Sequence, residues 1–536
     1  MFWQDSSKEM VVNKKVLKDN LDDFLSNRNG ELYMEKIPAK ALVEKFGSPL
    51  YIVSEDQVRR NVRRFQDAFS HGWTAGRVKV LPAVKSNWNL AVQKVLASEG
   101  CGADVYSPGE LEIALRAGID PQYISVNGVP KSAEHIKRTL EVGARLTIDS
   151  LEDVAILEQL DPTLSKRASV RLRLRPATGY TKATDFMAEG PMPTDIAALG
   201  YKSGLSLGEV IEGGQRILKL KNIDLVGFHQ HHGRHRPTTD WWKAQMKSYA
   251  RDIALVCKQL NNFKPKEIDI GGGYAIPRDP HAAAIDRKAP FLYGALYVLS
   301  LFLKLFGDKF RYRVISFLSG IMTTRPNQTA APMIEEYAQV ITSTLMSELG
   351  KNGIDPKGIM LQLEPGRGIN GNAGAHLATV CSIKRQKQPL KWDVVILDTS
   401  EFFLTAGRFE HHMHDYRVVS KLNHTKTMRA DVTGRSCYAD RLLSAVELPA
   451  IEVGDVFALL DTGAYQEGSS SNFNAMPRPA TVMVTGDQAN VIKVAEAQED
   501  VLARERIPVH LQGKFEVPQI GIVSSKTMLD SPMSAQ

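Results

Sequence analysis

Potentially reactive side chains stand at or just past the ends of short apolar, β-branched runs. Lys85 follows VKVLPAV (78–84). A lysine held against such a run is partly desolvated, which is expected to lower its pKa and make the neutral amine a nucleophile. Gly271, Gly272 and Gly273 close and follow EIDIG (267–271). Consecutive glycines let backbone N–H groups approach an anion without side-chain interference. Glu364 ends MLQLE (360–364), and Arg367 of the following EPGR offers a planar fork of donors suited to phosphate oxygens. Asp104 lies in ADVYS (103–107), Asn127 in YISVN (123–127) and Asp149 in RLTID (145–149). Arg173 and Arg175 lie in SVRLRLR (169–175), and His229 and His231 in LVGFHQH (225–231). Taken singly, Lys85 reads as a surface residue at a helix start and the glycines as a tight turn. Taken together, an amine and a phosphate site imply pyridoxal 5′-phosphate held on Lys85 as a Schiff base.

Eight such runs alternate with helical segments such as PGELEIALRAG and SAEHIKRTLEVG, and glycines (Gly118, Gly143) stand where those helices should stop. Strand–helix alternation repeated eight times predicts an α/β fold, a (β/α)8 TIM barrel, whose active site lies at the carboxyl ends of the strands. Polar residues are costly inside such a barrel, so they are expected around its mouth. After residue 385 the rhythm changes to strands without long helices, among them DVVILDT, DVFALLD and ATVMVTG. These predict an antiparallel C-terminal β-domain, joined by an N-terminal strand near residues 32–53. The expected organisation is a polar extension (1–40), a cofactor-binding barrel (41–385) with an apolar insertion near 285–330, the β-domain (386–515) and a mobile tail (516–536).

Of the 536 residues 43% are hydrophobic and 24% charged, which excludes a disordered or fibrous chain. The 67 basic and 60 acidic residues are interspersed, so no nucleic-acid footprint is expected, whereas anionic small ligands suit the mild positive charge. Four cysteines (Cys101, Cys257, Cys381, Cys437) stand far apart, without paired spacing. This argues against a disulfide framework or zinc site and for a reducing, cytoplasmic compartment. The start, MFWQDSSKEMVVNKK, has no continuous apolar core of a secretory signal. Ala289–Leu303 is uncharged for 15 residues, short of the ~18–20 that span a membrane. It reads as a buried helix, extra dimer packing, or a lid or docking surface for a large, carrier-linked substrate. His411, His412 and His414 lack a carboxylate or cysteine at ligand spacing, so a polar loop near the site entrance is expected rather than a metal site.

From about residue 48 to 485 the order of short motifs resembles the fold-type III, alanine-racemase-type barrel family of pyridoxal-phosphate enzymes. Within it the chain is similar to the diaminopimelate and ornithine/arginine decarboxylase branch. The motifs are GSPLYIVSEDQVRRN, AVKSN, SPGELEIALRAGI, KSGL, GFHQHHG, DIGGGY, EPGR, GDVFALLDTGAY and SNFNAMPRP. The resemblance implies an alanine racemase-like two-domain fold and an amino-acid decarboxylase. Lys85 would hold the cofactor, Glu364 would pair with the pyridine nitrogen, and His231 would stack on the ring. Gly271, Gly272, Gly273, Arg367 and Tyr465 would hold the phosphate, with Asp104 near the Schiff base and Arg173 near the cofactor. It also implies a head-to-tail homodimer with shared active sites, in which Cys437 crosses the interface and protonates the carbanion.

The chain departs from that pattern in two places. Arg234 stands where relatives carry a phosphate-binding serine. The distal-group motif reads Cys437-Tyr438-Ala439-Asp440-Arg441, one residue short and with Tyr438 in place of an acid that recognises a far amino group. Asp440 is the residue that could compensate, and Tyr438 argues against a simple diamino acid. Two other readings remain open. A racemase or epimerase on this fold generally carries a second-face tyrosine base and lacks the Cys437-type motif. A non-catalytic cofactor-binding protein of the single-domain kind lacks the β-domain.

Overall fold

The computed structural model describes residues 23–176, 202–231, 238–276, 295, 298–321, 331–387, 392–405 and 414–511, with side chains 315–321 excepted. Arg234, His411, His412, residues 1–22, the tail and most of the apolar run lie outside the described residues.

Eight parallel strands form one sheet: β1 (Val78–Val80), β2 (Ala103–Val105), β3 (Ile124–Val126), β4 (Arg145–Ile148), β5 (Ala168–Arg173), β6 (Ile223–His229), β7 (Glu267–Asp269) and β8 (Met360–Leu363). The sheet order runs from β1 through β8 back down to β2. The seam between β1 and β2 closes by a parallel bridge from Ala83 to Asp104, with Asp104 N–H donating to the Pro82 carbonyl at 3.1 Å. All eight predicted strands are present, each shorter at its carboxyl end, where the chain turns into the mouth.

Serine caps fix where the helices begin. Ser107, Ser132 and Ser150 each accept from the N–H three residues on, and Ser206 forms a reciprocal capping box with Glu209. Gly143, at φ 81, ends its helix in the left-handed conformation the sequence implied. The apolar layer between sheet and helices includes Leu172, Phe228, Ile268 and Leu361 against Trp242, Ile253 and Leu345, all fully buried.

The barrel interior overturns the expectation that polar groups are kept out of it. Arg171, fully buried, pairs with Asp269 at 2.8 Å and also donates to Gln362 and Ser125. Glu267 pairs with Arg145 at 2.6 Å and accepts from Gln362 Nε2 at 3.2 Å. The cost of burying these charges is offset because each meets an opposite charge or a hydrogen-bond partner inside the same cage.

The second sheet is built around the 13-residue strand Gly374–Gln386. It runs antiparallel to Leu50–Ser54, Val456–Leu460 and Trp392–Leu397. The pairing is antiparallel except where Ala480–Thr485 lies parallel to Leu50–Ser54 and Met428–Thr433 parallel to Trp392–Leu397. Leu50–Ser54 is the N-terminal strand expected to join the β-domain, whereas nearly all of Gly374–Gln386 falls within the stretch that sequence assigned to the barrel. Strand Arg441–Leu448 was not anticipated, because irregular pairing and Ala445 at φ 50 break its alternation.

Removing Arg171 would strand Asp269 in the dry interior. Arg171→Leu is expected to destabilise the fold by about 3–5 kcal/mol in denaturant titrations. Breaking the exposed Arg116–Glu112 pair by Arg116→Ala should cost about 0.5 kcal/mol or less.

Candidate active site at the barrel mouth

The turn after β1, a 3-10 helix over Val84–Ser86, lifts Lys85 over the strand ends. The seam that closes the barrel brings Asp104 beside it, and Lys85 Nζ stands 2.5 Å from Asp104 Oδ2. Asn127 Nδ2 joins Asp104 to Glu364, donating to one at 2.8 Å and the other at 2.6 Å. Glu364 also accepts from Ser125 Oγ at 3.3 Å and lies 3.2 Å from His229 Nε2. Five strand ends therefore share one continuous polar chain from amine to buried carboxylate.

The electrostatics correct one expectation. Burial alone would lower the Lys85 pKa, but the charges of Asp104, Tyr465 and Glu364 outweigh it, and the amine is held above its ordinary value. Lys85 keeps 40% of its side chain open toward the mouth, while its walls carry the acids. The desolvation inferred from its apolar run is present; what the run did not show was Asp104. Burial would raise Asp104, yet Lys85 and then Asn127 hold it below the usual carboxylate range. Burial pushes Glu364 up, and the Asp104 charge adds to this. Burial, then Glu364, pushes Asp269 up to about 7, while burial keeps His229 neutral, down to about 3.

The triple-glycine loop packs backbone against backbone. Gly271 (φ 67) and Gly273 (φ 109) occupy the left-handed region, and a Cβ on Gly272 would run into the Glu364 carbonyl. Gly271 N–H donates to Asp269 Oδ1 at 2.9 Å and Gly272 N–H to His231 Nδ1 at 3.3 Å. Two of the three N–H groups expected to face an anion are thus engaged within the chain, and the second seats His231 against the loop. On the next loop, buried Arg367 lies 5.2 Å from the ring centre of Tyr465. Tyr465 comes from the second sheet's side at φ 62, with its N–H on the Ser86 carbonyl at 2.7 Å. The β-domain therefore docks directly on the lysine turn.

Arg173 is buried and paired with Asp149 at 2.9 Å, and Asp149 also accepts from Gly204 N–H at 2.7 Å. Cys437 lies apart, exposed in the β-domain, where Asn474 donates to its Sγ at 3.2 Å and accepts from its N–H at 2.9 Å. Tyr438 is 50% exposed and meets Phe402 edge-on at 6.0 Å, with Phe473 stacked on Phe402 at 4.1 Å. Asp440 does not compensate for the missing acid. It is buried, and its carboxylate accepts from Ser400 Oγ, Glu401 N–H and Ser436 N–H, so its charge is spent on its own turn. His414 is a core residue on the Leu460 carbonyl, at 2.9 Å.

Sequence reasoning placed Asn127 at the mouth but singled out none of Arg171, Asp269 and Ser125. The signal was available: in VRLRLR and EIDI the charged residues alternate with apolar ones, which points them to one face of the strand. His229, Asp269 and Glu364 lie close enough together to ligate an ion, but the Arg171 guanidinium 2.8 Å from Asp269 disfavours a second cation there.

The closed barrel holds a charged amine, paired with a buried carboxylate, over its mouth. Residues 55–289 match the family described as "Pyridoxal-dependent decarboxylase, pyridoxal binding domain". The chain is 27% identical over 490 residues to the diaminopimelate decarboxylase of Methanothermobacter thermautotrophicus, covering 91% of this chain and 99% of that one. It is 26% identical over 486 residues to that of Archaeoglobus fulgidus, covering 90% and 99%. The solved diaminopimelate decarboxylase of M. jannaschii in complex with L-lysine superposes with a TM-score of 0.74 at 24% identity, covering 92% and 100%, a likeness of fold. Residues 55–289 thus carry a pyridoxal-binding domain of the decarboxylase type, and the chain as a whole is similar to diaminopimelate decarboxylases over nine-tenths of its length. The relatives it resembles are carboxy-lyases that act on diaminopimelate, by their names.

The residues present fit that cofactor. Asp269 is already paired with Arg171, which leaves buried Glu364 as the carboxylate at the mouth that a protonated ring nitrogen could meet. The glycine loop leaves no room for side chains beside it. Because Glu364 is raised in the folded state, the cofactor-free fold loses stability as pH climbs from the ordinary carboxylate range past neutrality. Cofactor-free Glu364→Gln escapes that loss. Its margin over wild type in thermal unfolding should widen between about pH 5 and about pH 8; a constant offset would mean that Glu364 titrates normally.

Proposed function

We propose that this enzyme decarboxylates an amino acid whose distal end is not the ammonium-bearing end of diaminopimelate, but a larger or less basic group, free or linked to a carrier. The observation that carries the site is the chain Lys85–Asp104–Asn127–Glu364 across the barrel mouth, next to the Gly271–Gly273 loop. In this reading Lys85 holds the cofactor aldehyde and Glu364 the ring nitrogen. His231 lies against the ring, the glycine loop with Arg367 and Tyr465 receives the phosphate, and Arg173 lines the cofactor's surroundings. Pyridoxal phosphate, when bound, supplies an electron sink for the bond broken at the substrate's Cα.

The chain's own groups supply the rest. Asp104 orients the Lys85 amine and keeps it charged until a proton is drawn off. Asn127 locks Asp104 and Glu364 at a fixed separation, and His229, kept neutral by burial, offers Glu364 a hydrogen bond without adding a charge. Cys437 carries a transferable proton on an exposed thiol, which favours delivery into the site of a second copy in a homodimer. The substrate reading rests on Tyr438, backed by Phe402 and Phe473 where an acid would meet a distal amine, and on the engagement of Asp440 within its turn.

Lys85→Ala is expected to abolish the visible absorbance of the bound aldehyde. Cys437→Ala should keep that absorbance and slow CO2 release about a hundredfold or more; full activity would remove Cys437 from the reaction. Across an amino-acid panel, CO2 release should be faster with apolar or aromatic distal groups than with meso-diaminopimelate. Tyr438→Glu should shift the preference toward diamino acids; a wild type fastest on diaminopimelate would overturn the substrate reading.

A further inference from the structure

Between β7 and β8 the described chain carries an amphipathic segment turned inside out. Residues 298–303 are helical, Lys304–Phe306 tighten into a 3-10 turn, and Gly307 at φ 88 leads into the helix Asp308–Ile321. Arg311 Nη2 donates to Ser300 Oγ at 3.1 Å and clamps the two arms together. Val298, Leu301 and Phe302 stand at i, i+3 and i+4, the spacing of one helix face, and Leu305 and Phe306 extend it through the 3-10 turn. That face, which in a globular helix packs on the core, is exposed here, while Ser300 is buried. Exposure peaks at the turn, at 80% for Leu305 and 72% for Phe306, and Phe310 on the second arm lies 6.2 Å from the Phe306 ring.

A contiguous apolar surface of this kind marks a site of contact. Its flanks indicate with what. Lys304, Lys309 and Arg313 stand around the apex, while Arg311 pairs with the single acid Asp308 at 3.7 Å. Pairing with a second copy through this face would set two basic collars against each other. The apex projects at a chain reversal, with its largest side chains outward, and long basic side chains can reach anionic headgroups while their stems lie along apolar surface. No helix among the described residues is long and apolar enough to cross a bilayer, so the hairpin would lie in the interface rather than span it.

We propose that the 298–313 hairpin docks the enzyme on an anionic lipid surface, with Leu301, Phe302, Leu305, Phe306 and Phe310 entering the acyl boundary and the basic residues at headgroup level. The full-length holoenzyme should sediment with vesicles of phosphatidylcholine containing about 30% phosphatidylglycerol, and about tenfold less with phosphatidylcholine alone. L305E/F306E should stay in the supernatant with both, while keeping the absorbance of its cofactor. K304E/K309E should lose the preference for anionic vesicles. The proposal fails if the wild type ignores both vesicle types, or if L305E/F306E sediments as well as the wild type. It fails too if L305E/F306E splits a larger species in lipid-free sedimentation velocity, which would assign the apex to a second copy.

Discussion

The molecule depends on the seam where the barrel closes. Ala83 bridges to Asp104 and Gly102 N–H donates to the Val80 carbonyl at 2.9 Å, and this seam shuts the cylinder and sets the Asp104 carboxylate 2.5 Å from the Lys85 amine. Fold closure and site assembly are thus one event. A lysine on a loop would sample many rotamers; here its turn is pinned from below by Asp104 and from the side by the β-domain. Tyr465 N–H binds the Ser86 carbonyl, Asn87 donates to the Gly463 carbonyl at 3.1 Å, and Asn370 donates to Ser86 Oγ at 2.7 Å. Such support gives a reacting group its preorganisation.

Beneath the amine lies a cage of charges that extends from Arg145 through Glu267, Arg171 and Asp269 to Glu364. An apolar filling of β-branched residues is the usual content of such a barrel. A hydrogen-bonded filling gives the carboxylates at the mouth a rigid floor, because each partner is fixed by two or three others. Asp269 illustrates the coupling. One of its oxygens meets Arg171 and the other the Gly271 N–H, so the ionic interior and the glycine loop share a residue. The ring-nitrogen end and the phosphate end of the proposed cofactor site are thereby held by one piece of structure.

The β-domain contributes differently. It delivers Tyr465 to the mouth within the same chain and presents Cys437 and Tyr438 outward. The family match falls on residues 55–289, in the barrel, whereas Tyr438, exposed beside Phe402 and Phe473, lies in the β-domain. Relatives at 25–27% identity over nine-tenths of the chain are diaminopimelate decarboxylases.

The residue order alone determined the eight strands, the lysine, the glycine loop, Glu364 and Arg367. Period-two apolar runs ending in polar residues are a local property, and a barrel collects every such end at one face. The tertiary structure decided which polar groups meet. That Asp104 neutralises Lys85 and reverses the expected pKa direction depends on closure between residues 19 apart, which no local pattern encodes. Arg171 and Asp269, 98 residues apart, make an interior that composition would have called apolar. The fate of Asp440 was decided by a turn with φ 46 that folds its carboxylate back onto Ser400 and Ser436. Sequence specifies which groups a strand end carries; only the folded chain sets the distances that determine their charge and their use, because electrostatic interaction depends on separation and burial rather than on residue type.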